Sequence, residues 1–348
     1  MERLPIVSRV YDLLPSRVQA SRTAMALVIV LLIASITFSV LAFVYGYEPD
    51  DFNVVTVATE HAEKVNHKPV TGYVTTYTLM ELTHVLLYKP GGYQSNDLLL
   101  PSTAWADNIP NWEYGALVQI RDAAHALRNE FSRSQSQSVE DEDMAEASPL
   151  FNYQNDSWMF PATEKQYEKA LMHLSSYLDK LADPTEQHAQ FYARADNLEG
   201  WLSTVSKRLG SLSQRLSASV GQCRINTDLA GDAEATQSTS TPREICVKPS
   251  SWDIDDVFFE ARGTCWALLH LFRSIDHDFK PVLQKKNARP SLHQIIRELE
   301  NTQQSVWSPL ILNGSGFGVF NNHSLVLGNH IARANAAIID LQNLLKDG

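Results

Sequence analysis

Residues 191–220 read FYARADNLEGWLSTVSKRLGSLSQRLSASV, with Phe191, Ala195, Leu198, Leu202, Val205, Leu209, Leu212, Leu216 and Val220 spaced three or four apart. Apolar residues at that spacing line one face of a helix and pack along a single seam. Upstream, Tyr167, Leu171, Leu174, Leu178 and Leu181 follow the same rule, and Asp183-Pro184 lies between the two runs. Proline suits the first turn of a helix. A second arm from Pro184 to Val220 would be ~55 Å long at 1.5 Å per residue. The two runs predict a helical hairpin with coiled-coil-like packing.

The pattern returns in Ile254, Phe258, Ala261, Cys265, Leu268, Phe272, Ile275 and Phe279, and again in Leu327, Ile331, Ala334, Ile338, Leu341 and Leu345. Shorter helical signals cover 53–66, 71–88, 113–134 and 291–306. No convincing two-residue alternation separates turn signals, so no sheet is expected and the class is all-α. Three stretches interrupt the helices. Lys89–Asn111 keeps its aromatics and reads as an ordered loop. The segment 132–158, with its Ser/Gln run and the acidic patch Glu140–Glu146, reads as a solvated, partly mobile excursion. A second flexible excursion covers about 224–250 around the low-complexity run Thr227–Thr241.

Toward the N-terminus, no charged residue falls between Arg22 and Glu48, which leaves the 25 residues Thr23–Tyr47 free to cross a bilayer. A hydrocarbon core of ~30 Å needs about 20 helical residues. The run is too long for a cleavable signal, and bulky residues end it (Phe43, Val44, Tyr45). Arg9, Arg17 and Arg22 precede the span and Glu48, Asp50 and Asp51 follow it, so the N-terminus is expected in the cytoplasm and the bulk outside. Leu4–Val18 has helical apolar spacing suited to the inner leaflet, limited by Pro5 and Pro15. The expected organisation is a cytoplasmic segment 1–22, an anchor 23–47 and an extracytoplasmic helical bundle 48–348.

The chain carries a net charge of −11, and with +2 in the first 22 residues the remainder carries −13. That acidity argues against a nucleic-acid face, which needs clustered Lys and Arg.

Signals for chemistry are sparse. Glu81–His84 and Asp122–His125 place a carboxylate and an imidazole three apart, but the further carboxylates of a di-iron bundle are not signalled. No metal or cofactor is expected, and no nucleophile–base pair is indicated. Cys265 sits in an apolar stripe and reads as a buried hydrophobe. Cys223 and Cys246 bracket the second excursion; in an oxidising compartment they are placed to pair, and otherwise they are two free thiols. The aromatic loop supplies the candidates for ligand or partner binding: Tyr93, Asn96, Asp97, Trp105, Asp107, Asn108, Trp112 and Glu113. Flat rings beside amides and carboxylates suit carbohydrate or peptide recognition, and equally suit a packed cap on a bundle end.

Several stretches in order carry a resemblance: Val70-Thr-Gly-Tyr73, Lys89-Pro-Gly-Gly-Tyr93 with Ser95-Asn-Asp97, Asn111-Trp-Glu113 with Gly115, Arg133–Ser138, Asn155–Trp158, Phe191–Leu198 and Arg208–Val220. Over nearly its whole length the chain resembles an uncharacterised, domain-of-unknown-function family of single-pass membrane proteins from gammaproteobacteria. The resemblance implies a bacterial inner membrane and a periplasmic domain, and no reaction. The expected role is a non-enzymatic envelope scaffold or accessory subunit whose partner is another envelope protein or a second copy of itself. The rival is a ligand-binding or hydrolytic module working on cell-wall material through the 89–115 loop.

Overall fold

The computed structural model describes residues 22–97, 108–134, 139–186, 189–225, 244–247, 249–306, 308, 310–316 and 318–347. The N-terminal segment 1–21, with its expected surface helix, and the low-complexity run lie outside the described residues. The first element, α1 (Arg22–Tyr45), contains an 18-residue stretch, Ala24–Leu41, apolar enough to cross a membrane and with none of it buried.

Among the described residues ten further α-helices follow: α2 (Val54–Lys64), α3 (Tyr73–Tyr88), α4 (Asn108–Ala126, continued by a π-helical turn Leu127–Phe131), α5 (Glu142–Phe151) and α6 (Thr163–Ala182). Then come α7 (Ala195–Ser217), α8 (Ser251–Asp278), the short α9 (Lys280–Lys285), α10 (Arg289–Thr302) and α11 (His323–Asp347). The fold is all-α. All eight stripe residues predicted from spacing are buried, seven in α8 and Phe279 just after it, and so are Trp266, Ala267, Leu269 and Leu271. A helix apolar on every side belongs at the centre of a bundle. α8 accordingly packs against α4, α10 and α3 as well as α2, α7, α9 and α11. The stripe of α11 is buried throughout and packs on α7 and α10.

The closest crossing, α4 on α8, is made by glycines. A Cβ at Gly115 would lie 1.9 Å from the Glu260 carbonyl oxygen, and one at Gly263 would lie 1.9 Å from that of Trp112. Backbone meets backbone there, and the Thr264 hydroxyl donates to the Gly115 carbonyl at 3.2 Å. Gly115→Ala or Gly263→Ala is expected to force the central helices apart and destabilise by about 3 kcal/mol or more, read from urea midpoints. Gly210→Ala on α7 is the control, since its nearest neighbour would be the Asn335 amide at 3.5 Å. That change should gain about 0.5–1 kcal/mol of helix propensity.

Four expectations need correction. The arm predicted from Pro184 begins only at Ala195, because the Asp183 carboxylate accepts from Thr185 in a turn and the Phe191 ring packs on Phe131 and Phe279. The hairpin is also absent: α6 packs on α5 and α3, whereas α7 packs on α11. The 132–158 excursion contains α5, capped by the Asp141 side chain and burying Met144, Ala147 and Phe151. Its acidic patch is tied down by Asp143–Lys180 at 2.6 Å and Arg128–Glu140 at 2.6 Å. The described ends of the 224–250 excursion form an antiparallel ribbon, β1 (Gln222–Ile225) with β2 (Glu244–Val247), in which Cys223 lies directly opposite Cys246.

Four connections gather at one end of the bundle. The α3–α4 loop meets the end of α1 through Gln94 Nε2, which donates to the Tyr45 carbonyl at 2.9 Å. The α5–α6 loop joins it through Asn96 Nδ2 to the Ser157 carbonyl at 2.9 Å. The α7 terminus meets the α10–α11 loop through Ser219 and Asn322 at 3.2 Å, and the starts of α4 and α8 meet through Asn111 and Asp256 at 2.8 Å. This end carries α1, the candidate anchor, and is the anchor end.

Candidate functional site

The α3–α4 loop turns around one buried carboxylate. Glu113 accepts from the Gln94 amide at 2.8 Å, from the Ser95 amide at 2.7 Å and from the Ser95 hydroxyl at 2.5 Å. Lys89 also donates to it, and further to the carbonyls of Leu86 at 3.1 Å and Gly92 at 2.6 Å. Gly91 and Gly92 take φ of +89° and +70°, which lets the chain double back over the lysine. Burial raises the Glu113 carboxyl and lowers the Lys89 ammonium, and each charge partly offsets the shift of the other.

Around this centre the loop candidates are packed rather than gathered about a cleft. Tyr93 is buried edge-on to Tyr167, with its hydroxyl donating to the Asn155 carbonyl at 2.9 Å. Asn96 is buried and donates to Ser157 and to Glu164. Trp112 is fully buried against Trp266, ring centroids 5.0 Å apart. Asn108 is half-buried at the start of α4, and Asp97 is exposed, its carboxyl raised by desolvation and by Glu164. Trp105 and Asp107 lie outside the described residues.

A feature absent from the sequence reading joins the anchor to the domain. The non-helical strap 46–53 runs along one face of α8. Glu48 receives Arg262 at 2.6–2.9 Å, the Asp50 carbonyl accepts from Trp266 Nε1 at 3.4 Å, and the Phe52 amide donates to His270 Nε2 at 3.0 Å. Phe52 also stacks on His270, with centroids 4.0 Å apart. The match is geometric: two residues of extended chain advance ~6.6 Å, and four residues of helix rise ~6.0 Å. Arg262 is mostly buried and donates in addition to the carbonyls of Thr302 and Gln304, both at 2.9 Å, so one guanidinium ties the strap to α8 and to the end of α10.

His270 is a neutral latch. Its Nδ1 donates to the Trp266 carbonyl at 2.8 Å while Nε2 accepts from Phe52, and burial lowers its pKa from 6.5 to about 4. A base whose folded pKa is depressed contributes stability that is full above its unfolded value and lost as pH falls toward the folded one. Stability is therefore expected to drop by up to about 3 kcal/mol between pH 6.5 and 4, with His270→Gln flattening that drop in urea titrations.

The chain matches the family described as "Uncharacterized protein conserved in bacteria (DUF2333)" over residues 18–348. It belongs to that family. Searches of curated proteins and of solved structures found no match.

In this DUF2333 member two cavities adjoin at the anchor end. One of about 440 Å³ is lined by Gly46, Tyr47, Glu48, Asp255, Arg262 and Leu310, and the other, of about 760 Å³, lies between α8 and the α10–α11 loop beside Phe320 and His330. Arg262 borders both. Among the described residues no group of three or more His, Cys, Asp or Glu could hold a metal. Asp122 of the Asp122–His125 pair is engaged by Arg208 at 2.9 Å. Glu130, in the π-helical turn, is raised to about 7 by burial and by Glu199.

Proposed function

We propose that this protein is a membrane-anchored helical scaffold or accessory subunit of the bacterial cell envelope, acting by interaction and not by catalysis. In this reading α1 spans the inner membrane with the N-terminus in the cytoplasm, and the helical domain lies in the periplasm. The observation that carries it is the strap. A tethered enzyme domain gains reach from a flexible linker, whereas here the linker is fixed along the central helix by Glu48–Arg262 and Phe52–His270. Such an arrangement holds the domain at a set height and orientation over the bilayer, as a docking platform requires. The loop proposed for cell-wall ligands spends Lys89, Tyr93, Asn96 and Glu113 on internal hydrogen bonds, which supports the scaffold over the hydrolytic module.

Reporter fusions after residue 60 test the topology, and activity of a cytoplasmic reporter there would overturn it. Affinity capture of the full chain from membranes, followed by mass spectrometry, tests the role. A stoichiometric envelope partner or a second copy is expected, and hydrolysis of isolated cell-wall material by the purified chain would contradict it. We also propose that Cys223 and Cys246 pair, losing two protons and two electrons to a protein disulfide that is itself reduced. Directly opposed antiparallel residues have Cα atoms ~4.5–5.5 Å apart, within the range a disulfide spans. Alkylation of denatured, unreduced protein should then modify Cys265 alone.

A further inference from the structure

Among the described residues, six of the eight apolar side chains outside the span that are more than 60% exposed fall on the strap or on loops of the anchor end: Tyr47, Trp158, Phe160, Leu310, Val319 and Phe320. Val139 and Met172 are the other two. Monomer surfaces scatter such residues singly, and a concentration at one end marks an interaction surface. We infer that the anchor end rests on the lipid leaflet, with the Trp158-Met159-Phe160 tip on one side of the span and Leu310, Val319 and Phe320 on the other inserted at the interface. This rests on α1 crossing the bilayer.

The occupant follows from continuity with the anchor. Leu310 and Ile311 line the same cavity as Gly46 and Tyr47, the residues that leave α1. On the other side, Gln94 holds the Tyr45 carbonyl and Asn96 holds Ser157, so two short steps of hydrogen bonding connect the end of α1 to Trp158. The chain direction agrees, because the tip is the turn that precedes α6, and the start of α6 meets Asn96 through Glu164 at 2.8 Å.

The tip is also built to stay out. Ser157 Oγ donates to the Pro161 carbonyl at 2.9 Å, and Thr163 donates to the Ser157 carbonyl through its amide at 2.9 Å and its hydroxyl at 3.0 Å. These bonds close the loop while Trp158 stays 65% and Phe160 93% exposed. Tryptophan and phenylalanine favour the headgroup boundary. The charges beside the tip are mixed, Asp97 and Glu164 with an exposed Lys165 that pairs with Glu168, so apolar contact and not attraction to anionic lipid drives the seating.

The test uses the full chain in phosphatidylcholine vesicles containing a lipid with a photoactivatable diazirine on its acyl chain, with crosslinked peptides mapped by mass spectrometry. Label is expected in 24–41 and, separately, in the peptides holding Trp158–Phe160 and Leu310–Phe320. Val139 is the control: it is 92% exposed but adjoins Glu140, which binds Arg128 at the far end of α4. That site lies ~30 Å from the start of α4 at 1.5 Å per residue, and should stay unlabelled. In a folded Trp158→Ser, Phe160→Ser variant, label on the tip should fall several-fold. Label confined to the span would overturn the inference and leave the span standing. Absence of label from 24–41 would overturn the span, and the inference with it. Tip label undiminished in the variant, or equal label at Val139, would also overturn it.

Discussion

Glu113→Ala is expected to destabilise the domain by about 3–5 kcal/mol, the usual result of removing one partner from a buried ion pair. Lys89 would keep only the carbonyls of Leu86 and Gly92, and the Gln94 amide, Ser95 amide and Ser95 hydroxyl would lose their common acceptor. Glu113→Gln should recover only part, because its amide nitrogen would face donors in at least one of those places. Asp97→Ala, on the exposed part of the same loop, should change stability by no more than about 0.5 kcal/mol. Urea unfolding of the three variants separates these outcomes. Loss of comparable stability in Asp97→Ala would mean that the loop is held by something other than Glu113.

Arg262→Leu is expected to cost about 3 kcal/mol and to release the strap, since the guanidinium serves Glu48 and two backbone carbonyls together. Arg262→Lys should not rescue it. An ammonium is a single point charge and lacks the planar fork that serves a carboxylate and two carbonyls at once. The expected readout is selective: weaker coupling of the strap to α8, with the helical content of the bundle retained.

The helices most legible in the sequence are those that bury one continuous seam. For α8 and α11, spacing alone placed every stripe residue in the core, because long helices with many apolar positions leave few alternatives. The start of α7 was misread because Phe191 continues the spacing by coincidence; it is a loop aromatic filling the space beside Gly72, where a Cβ would lie 2.1 Å from its ring. α5 was hidden by its acidic composition, which masks a short buried face whose apolar members are Met144, Ala147 and Phe151. β1 and β2 span four residues each, too few for alternation to register.

The candidate site was legible in part. Of the stretch expected as an ordered loop, 89–97 packs around Glu113, 98–107 lies outside the described residues and Asn108 onward is helical; the organiser, Glu113, pairs with a lysine 24 residues away, and nothing local marks that. The strap is a longer-range case. Glu48, Asp50 and Asp51 were read as topological charge alone, and Arg262 and His270 were passed over within an apolar helix. A buried Arg and His eight residues apart on one face of such a helix are themselves a signal that polar partners must arrive from elsewhere.

The strap makes α1 and the helical domain one unit. Hydrogen–deuterium exchange of the full chain in lipid nanodiscs tests it most directly, by following the backbone amides of residues 46–53. Slow exchange is expected at Phe52, whose amide is held by His270, at a rate within reach of the α8 core and accelerated by Arg262→Leu. Exchange across 46–53 as fast as in an unstructured peptide, with α8 still protected, would contradict it.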